Sequence, residues 1–327
     1  MPPAKIGPIA GVDLGGTNMQ IGVVSLEAKG DGKMLGEAKK KTRAEEGQDA
    51  IISRIAEGIV ESCAAAKLSL KDLAGVGIGA PGAVDPFQGV VLEAVNLRWA
   101  NTPLANLLSK RLGGVPVFLD NDVNVALYGE WRMGAAKGEN NCLGVWVGTG
   151  IGGALILDGK MWYGPLFTAG EIGHTILFPT NPPGHRSLEH NCSRTTVVDR
   201  LIRLIESNRK SILPKLAEGD LSKVKSRTVA KAYEAGDELT LEVVNDAADM
   251  LGIAISNVVT LLSLPYVVLG GGLTEAIGQP FVDRVEKSCR KFAFPERVKA
   301  VKVVESKLMD QAGVYGAAMI ARDRLDR

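Results

Sequence analysis

Two periods of hydrophobicity alternate along this chain. Short apolar or alternating runs at Ile6 to Leu14, Met19 to Ser25 and Lys33 to Lys41 predict three strands, and a helical pattern runs from about Gln48 to Lys67. A buried strand is expected at Gly75 to Gly79, then a loop, Ala80-Pro81-Gly82-Ala83-Val84-Asp85-Pro86. Leu104 to Leu112 reads as a helix leading to a strand at Val115 to Leu119. A helix from about Val123 to Trp131 precedes a glycine hairpin, helical segments dominate from Thr195 to Leu262, and Leu264 to Leu273 forms a strand entering a glycine turn that opens a helix. The last segment, Gln311 to Arg327, is a helix expected to pack back on the first lobe. Strands alternating with helices make the chain α/β.

A chain of 327 residues has room for two lobes, each with its own core. The expected division is 1–122, joined by the last helix at 311–327, against 123–310. Net charge is only +1, and the one basic run, Lys39-Lys40-Lys41, is followed by Glu45 and Glu46, so it reads as solvated surface and no nucleic-acid or membrane partner is expected. Cys63, Cys142, Cys192 and Cys289 are scattered without a CxxC pair, which suits a reducing cytoplasm. Met1 to Lys5 leads straight into the first strand, which leaves no room for a signal peptide. Polar residues interrupt the apolar region from Leu251 to Gly270, so a buried helix and strand account for it better than a membrane span.

Two stretches repeat one design. Gly11-Val12-Asp13-Leu14-Gly15-Gly16-Thr17-Asn18 and Gly144-Val145-Trp146-Val147-Gly148-Thr149-Gly150-Ile151-Gly152-Gly153 each run an apolar strand into a glycine turn with a threonine, then into another strand. Glycine permits positive φ and close backbone approach, so several N–H donors and a hydroxyl can face one phosphate. Asp13 adds a carboxylate suited to Mg²⁺, directly or through water. A dinucleotide fingerprint or Walker A loop would open a helix after its glycines, whereas Met19 to Val24 continues as a strand.

With these pieces the chain resembles the ROK family (repressor, open reading frame, kinase) of the actin and hexokinase superfamily. Asp13-Leu14-Gly15-Gly16-Thr17 resembles the first phosphate motif, Gly148 to Gly153 the second, and Leu269-Gly270-Gly271-Gly272-Leu273 the glycine turn on the adenosine side. The resemblance implies a two-lobed actin-like ATPase (ribonuclease H-like) fold, with nucleotide and sugar in a cleft between lobes. It implies ATP as cofactor at Asp13, Gly15, Gly16, Thr17, Asn18, Gly148, Thr149, Gly150, Gly152, Gly270, Gly271 and Gly272, and a homodimer. Further matches imply a sugar site: Gly82 in Ala80-Pro81-Gly82, Asn96 in Asn96-Leu97-Arg98-Trp99, Asn121, Asp122 as catalytic base, Glu171 and His174 in Glu171-Ile172-Gly173-His174, and Glu189.

That chemistry is coherent on its own terms. Asn121 can donate to or accept from a sugar hydroxyl, Glu171 and Glu189 accept, and Asp122 can take the proton of an attacking hydroxyl. Plainer roles stay open: Asp122 as helix N-cap, His174 as a core histidine, Asn96 as a turn residue. The family's zinc site has cysteines where this chain has Thr180, Pro182 and Ser187, so no structural zinc is expected. His185, His190 and Cys192 fit no ligand spacing that would rebuild a site with His174. The expected activity is ATP-dependent phosphorylation of a hexose 6-hydroxyl, glucose first. Alternatives are an N-acylmannosamine, fructose, mannose or allose kinase, polyphosphate as donor, a silent sugar-binding protein, or a repressor. A repressor of the family would carry an added helix-turn-helix domain before the first strand, and none is expected here, with that strand beginning by about Ile6.

Overall fold

In the computed structural model, which describes residues 7–26 and 32–326, the predicted strands assemble into two sheets of the same order. The strand start at Ile6, the segment Met1 to Lys5 and the helix end at Arg327 lie outside the described residues. The strands are β1 (Ile9–Leu14), β2 (Asn18–Leu26), β3 (Gly32–Lys41), β4 (Gly75–Ala80), β5 (Ala83–Asp85), β6 (Val90–Ala94), β7 (Trp99–Thr102), β8 (Val117–Asn121), β9 (Cys142–Val147), β10 (Ile151–Leu157), β11 (Lys160–Met161), β12 (Tyr266–Gly270) and β13 (Lys302–Glu305). The first sheet runs β3-β2-β1-β4-β8 and the second β11-β10-β9-β12-β13. In each, an antiparallel hairpin carrying a glycine turn is extended by two parallel strands.

One compact unit takes residues up to Gly138, Met161–Ala169 and residues from Asp310 on. Alternation puts Gly22, Gly11 and Gly77 side by side on one face of its sheet. That stripe seats the helix Ala312–Leu325: a Cβ on Gly11 would stand 2.0 Å from the Val314 carbonyl oxygen, and one on Gly77 1.9 Å from that of Ala317. The other face presents Ala10, Val12, Val76 and Ile78 to Ile51, Ile52, Ile55 and Ile59 of the helix Gln48–Ala65. Edge strand β3 exposes Lys39 and Lys41, while Lys40 pairs with Glu61 at 2.6 Å, so the basic run is a solvated edge.

Two sequence expectations differ here. Ala80 to Pro86 is not all loop, because Ala83–Asp85 pairs with β6 in a separate three-stranded sheet, β5-β6-β7. Three residues are too few for a periodic signal, and the pairing comes from partners further along the chain. The helix Asp122–Met133, expected in the second lobe, packs in the first unit: its Gly129 lies against Ala312 and Gly316, and Val125 joins Ala317 and Ile320. Helix-to-helix contact through glycines places the division after Gly138.

The second unit comprises Glu139–Lys160 and Gly170–Met309. Its core gathers Leu143, Val145 and Val147 of β9 with Val243, Leu251, Ile255 and Val259 of the helix Glu238–Leu262. That helix and β12 account for the apolar stretch from Leu251 to Gly270, and among the described residues no helix is long and apolar enough to cross a membrane. All four cysteines are free and buried.

Candidate active site

The turn Gly15 to Thr17 joins β1 to β2 and is closed by Gly15 N–H donating to the Asn18 carbonyl at 3.0 Å. Thr42, fully buried just after β3, holds it from behind. Its N–H donates to the Thr17 carbonyl at 2.9 Å and its hydroxyl to the Gly15 carbonyl at 2.6 Å. Arg54 in turn donates to the Thr42 carbonyl at 2.6 Å. Thr17 and Asn18 are left exposed, and Asn96 lies alongside, its Cβ 3.3 Å from where a Gly16 Cβ would be. Asp13, at the end of β1, has its carboxylate against Gly313 at the head of the last helix. Burial, with the charges of Asp122 and Asp310 adding to it, pushes the Asp13 carboxyl up to about 7.

Positive φ, one of the two reasons expected for the glycines, is absent from Gly15, Gly16, Gly148, Gly150 and Gly152, and among the glycines of the three turns only Gly271 has it. At Gly15 and Gly150 lack of a Cβ is the operative reason. A Cβ on Gly15 would sit 2.7 Å from the Asn18 carbonyl oxygen, and one on Gly150 2.2 Å from Oε2 of Glu189.

The strand β8 delivers Asp120, Asn121 and Asp122 to the head of the helix Asp122–Met133. Asn121, not Asp122, is the N-cap: its Oδ1 accepts from the N–H groups of Val123 at 2.8 Å and Asn124 at 3.1 Å. Its Nδ2 donates to the Gly82 carbonyl at 3.0 Å, so the amide keeps one N–H for a ligand and no longer offers either function, as the sequence suggested. Asp122 occupies the first helical position, with Oδ1 accepting from Val123 N–H at 2.9 Å. Beneath them lies Asp120, 1% exposed, bound by Arg324 at 2.7 Å, Tyr163 at 2.8 Å and Asn124 at 3.0 Å. Burial raises its carboxyl, and the Arg324 guanidinium, the Tyr163 hydroxyl and the Asn124 amide oppose that rise.

In the second unit the turn between β9 and β10 is closed by Gly148 N–H donating to the Gly150 carbonyl at 2.9 Å. Glu189 accepts from Ile151 N–H at 2.8 Å, so this predicted sugar ligand is seated directly on the turn. The segment Glu171–His174 lies on β10 through glycine: a Cβ on Gly173 would stand 2.0 Å from the Ile151 carbonyl oxygen. That packing leaves Glu171 and His174 exposed, 3.8 Å apart, so His174 is no core histidine. Partial burial of the carboxyl and the Glu189 charge raise the pKa of Glu171, while His174 lowers it. The third turn, Gly270 to Gly272, packs on Trp146 and Val147 at the end of β9, and the helix it opens, Thr274–Ile277, spans four residues.

The predicted residues thus fall into two groups. Asp13, Gly15 to Asn18, Gly82, Asn96, Asn121 and Asp122 belong to the first unit; Gly148 to Gly152, Glu171, His174, Glu189 and Gly270 to Gly272 belong to the second. Sequence reasoning missed Thr42, Asp120, Tyr163, Arg324 and Arg194, whose guanidinium donates to the Thr149 hydroxyl at 3.0 Å. Among the described residues no three His, Cys, Asp or Glu side chains are grouped to hold a metal ion. His190 Nδ1 is 2.8 Å from the Ser187 hydroxyl, and burial pushes the Cys192 thiol up to about 12.

Comparison with known proteins matches residues 9–324 to the ROK family. A glucokinase of Thermotoga maritima is 32% identical, the alignment covering 99% of each chain. A crystal structure of a ROK family glucokinase from Streptomyces griseus, in complex with glucose and AMPPNP, superposes with a TM-score of 0.86 at 27% identity, covering 97% of this chain and 100% of that one. A xylose repressor of Caldicellulosiruptor bescii is 25% identical over 98% of this chain and 79% of its own length.

Proposed function

The chain belongs to the ROK family and has its actin-like α/β fold, and from that premise we propose that it is an ATP-dependent hexokinase acting on the 6-hydroxyl of a hexopyranose, with glucose as first substrate. The observation that carries the reading is the nearness of Asp122 to Asp13. Asp13 pairs with Gly79 across the sheet, and a Cβ on Gly79 would stand 3.1 Å from the Asp122 Cα. A carboxylate at a helix head, beside an amide already fixed by backbone bonds, thus neighbours the carboxyl at the end of β1. A base for the acceptor hydroxyl and a carboxylate for the donor's phosphates are what phosphoryl transfer needs near one another. The glucose and AMPPNP bound by the Streptomyces griseus enzyme support the same pair of substrates.

In this reading Asp122 accepts the 6-hydroxyl proton as the new O–P bond forms and the bond from the γ-phosphorus to the ADP oxygen breaks. Asn121 donates its remaining amide N–H to a sugar hydroxyl, and Glu171, His174 and Glu189 bind the others. Backbone N–H groups and hydroxyls of Thr17 and Thr149 receive phosphate oxygens. The donor set fits a divalent cation such as Mg²⁺, because a carboxyl held near 7 by burial and two like charges gains from a neighbouring cation. Asp13 is the residue that would hold it, leaving other positions to water and phosphate, and bound there it would offset phosphate charge. No structural zinc is part of the reading.

The test is ADP release by purified protein with Mg·ATP across a panel of glucose, mannose, fructose, allose and N-acylmannosamines, with polyphosphate as a parallel donor. Glucose is expected to give the highest kcat/KM. Absence of sugar-dependent turnover in protein that binds sugar would leave a sensor and refute the kinase.

A further inference from the structure

The helix Arg194–Glu206 begins with an unusual residue choice. Ser193 caps it in the ordinary way, its hydroxyl accepting from Thr196 N–H at 3.3 Å. The first helical residue is then an arginine, at the end where the helix dipole disfavours a cation by about 0.3–1 kcal/mol. Both ends of Arg194 are tied to the second glycine turn: its backbone N–H donates to the Gly148 carbonyl at 3.0 Å, and Nη2 donates to the Thr149 hydroxyl at 3.0 Å. Among the described residues it forms no ion pair. Of the arginines further along, Arg200 pairs with Asp246 at 2.8 Å and Arg209 with Glu242 at 2.6 Å, while Arg203 donates to the Asp199 carbonyl at 3.3 Å; Arg194 alone of these four rests on the second glycine turn. The carboxylate of Glu189, seated on the same turn, accepts from Ile151 N–H. The guanidinium therefore rests, without a carboxylate partner among the described residues, on the hydroxyl of a turn shaped for phosphate.

We propose that Arg194 is a ligand of the donor's phosphate chain, supplying the positive charge of the second turn. Thr149 orients the guanidinium through one N–H, and the remaining donors of the planar fork meet two phosphate oxygens together, an arrangement a lysine cannot reproduce. The first turn has no arginine bonded to it directly: Thr42 holds it, and Arg54 reaches only the Thr42 carbonyl behind it. The inference deepens the kinase reading by assigning a phosphate contact, and its binding test does not require turnover.

Calorimetric titration of wild type, Arg194→Lys and Arg194→Met with Mg·AMPPNP, tripolyphosphate and glucose decides it. Arg194→Met is expected to weaken AMPPNP at least tenfold and Arg194→Lys by an intermediate factor, with glucose affinity within twofold of wild type. Loss of AMPPNP affinity without loss of tripolyphosphate affinity would identify a nucleotide as the source of the phosphates; parallel loss would extend the site to polyphosphate. AMPPNP affinity within twofold of wild type in either folded variant overturns the proposal. Should Arg194→Met fail to fold, Arg194→Lys carries the test alone. A wild-type protein that binds AMPPNP through Arg194 yet phosphorylates no hexose would refute the kinase reading and leave this one standing.

Discussion

The two glycine turns occupy the same place in two sheets of identical strand order, yet they are held differently. The first is clamped by a neutral, buried threonine acting on two carbonyls, and its charged partner, Asp13, is drawn toward neutrality by burial. The second is gripped by charges: Glu189 on Ile151 N–H and Arg194 on Thr149. The strongest ionic support of the first unit lies a layer below the site, where Asp120 meets Arg324 and Tyr163 beneath Asn121 and Asp122. In the first unit the charges therefore lie beneath Asn121 and Asp122, while in the second they lie on the turn itself. A repeated backbone design does not imply repeated chemistry.

The largest effect should come from breaking the buried support. Arg324→Met leaves Asp120 uncompensated in the interior, and denaturant unfolding should report a loss of about 3–5 kcal/mol. A loss below about 1 kcal/mol would mean that Tyr163 and Asn124 suffice. Next come the turns themselves. Gly15→Val collides with the Asn18 carbonyl and should raise the AMPPNP dissociation constant at least tenfold, about 1.4 kcal/mol, without changing glucose affinity. Gly150→Val collides with Glu189 and should weaken nucleotide and glucose together. Equal behaviour of the two variants in calorimetry would erase the distinction between the turns.

The smallest expected signal is a pH slope. The Asp13 carboxyl stands at about 7 in the fold against 3.8 ordinarily, so the folded chain holds that proton more tightly than the unfolded one. The resulting stability is complete below about pH 4 and is lost as pH rises through about 7. Between about pH 6 and pH 8 the metal-free protein should lose about 1 kcal/mol more than Asp13→Asn does, measured by urea unfolding. Equal slopes would contradict the burial of that carboxyl.

Much of this was legible in the sequence because it is local. Strand, glycine turn and second strand follow one another within a few residues, and the helix heads at Gln48 and Leu104 follow from periodicity, that of the last helix, expected at Gln311, falling at Ala312. The supports were hidden because they are distant: Arg324 is 204 residues from Asp120, and Thr42 is 27 from Gly15. Asn121 was placed at the site, but its bond to Gly82 depends on a loop 39 residues earlier, so its restricted donor capacity could not be read. Glycine also hides its reason, since a turn can need either positive φ or an absent Cβ. Arg194 did leave a trace, a cation directly after a capping serine, which runs against the dipole preference.

The central claim rests on Asp122 as the proton acceptor, and Asp122→Asn tests it most directly because shape is kept while the carboxylate is lost. Glucose-dependent ADP release and glucose binding should be measured on the same preparation of wild type and variant. The account predicts a kcat lower by about 10²–10⁴ with a glucose dissociation constant within a few-fold of wild type. Turnover by the variant near the wild-type rate would contradict it.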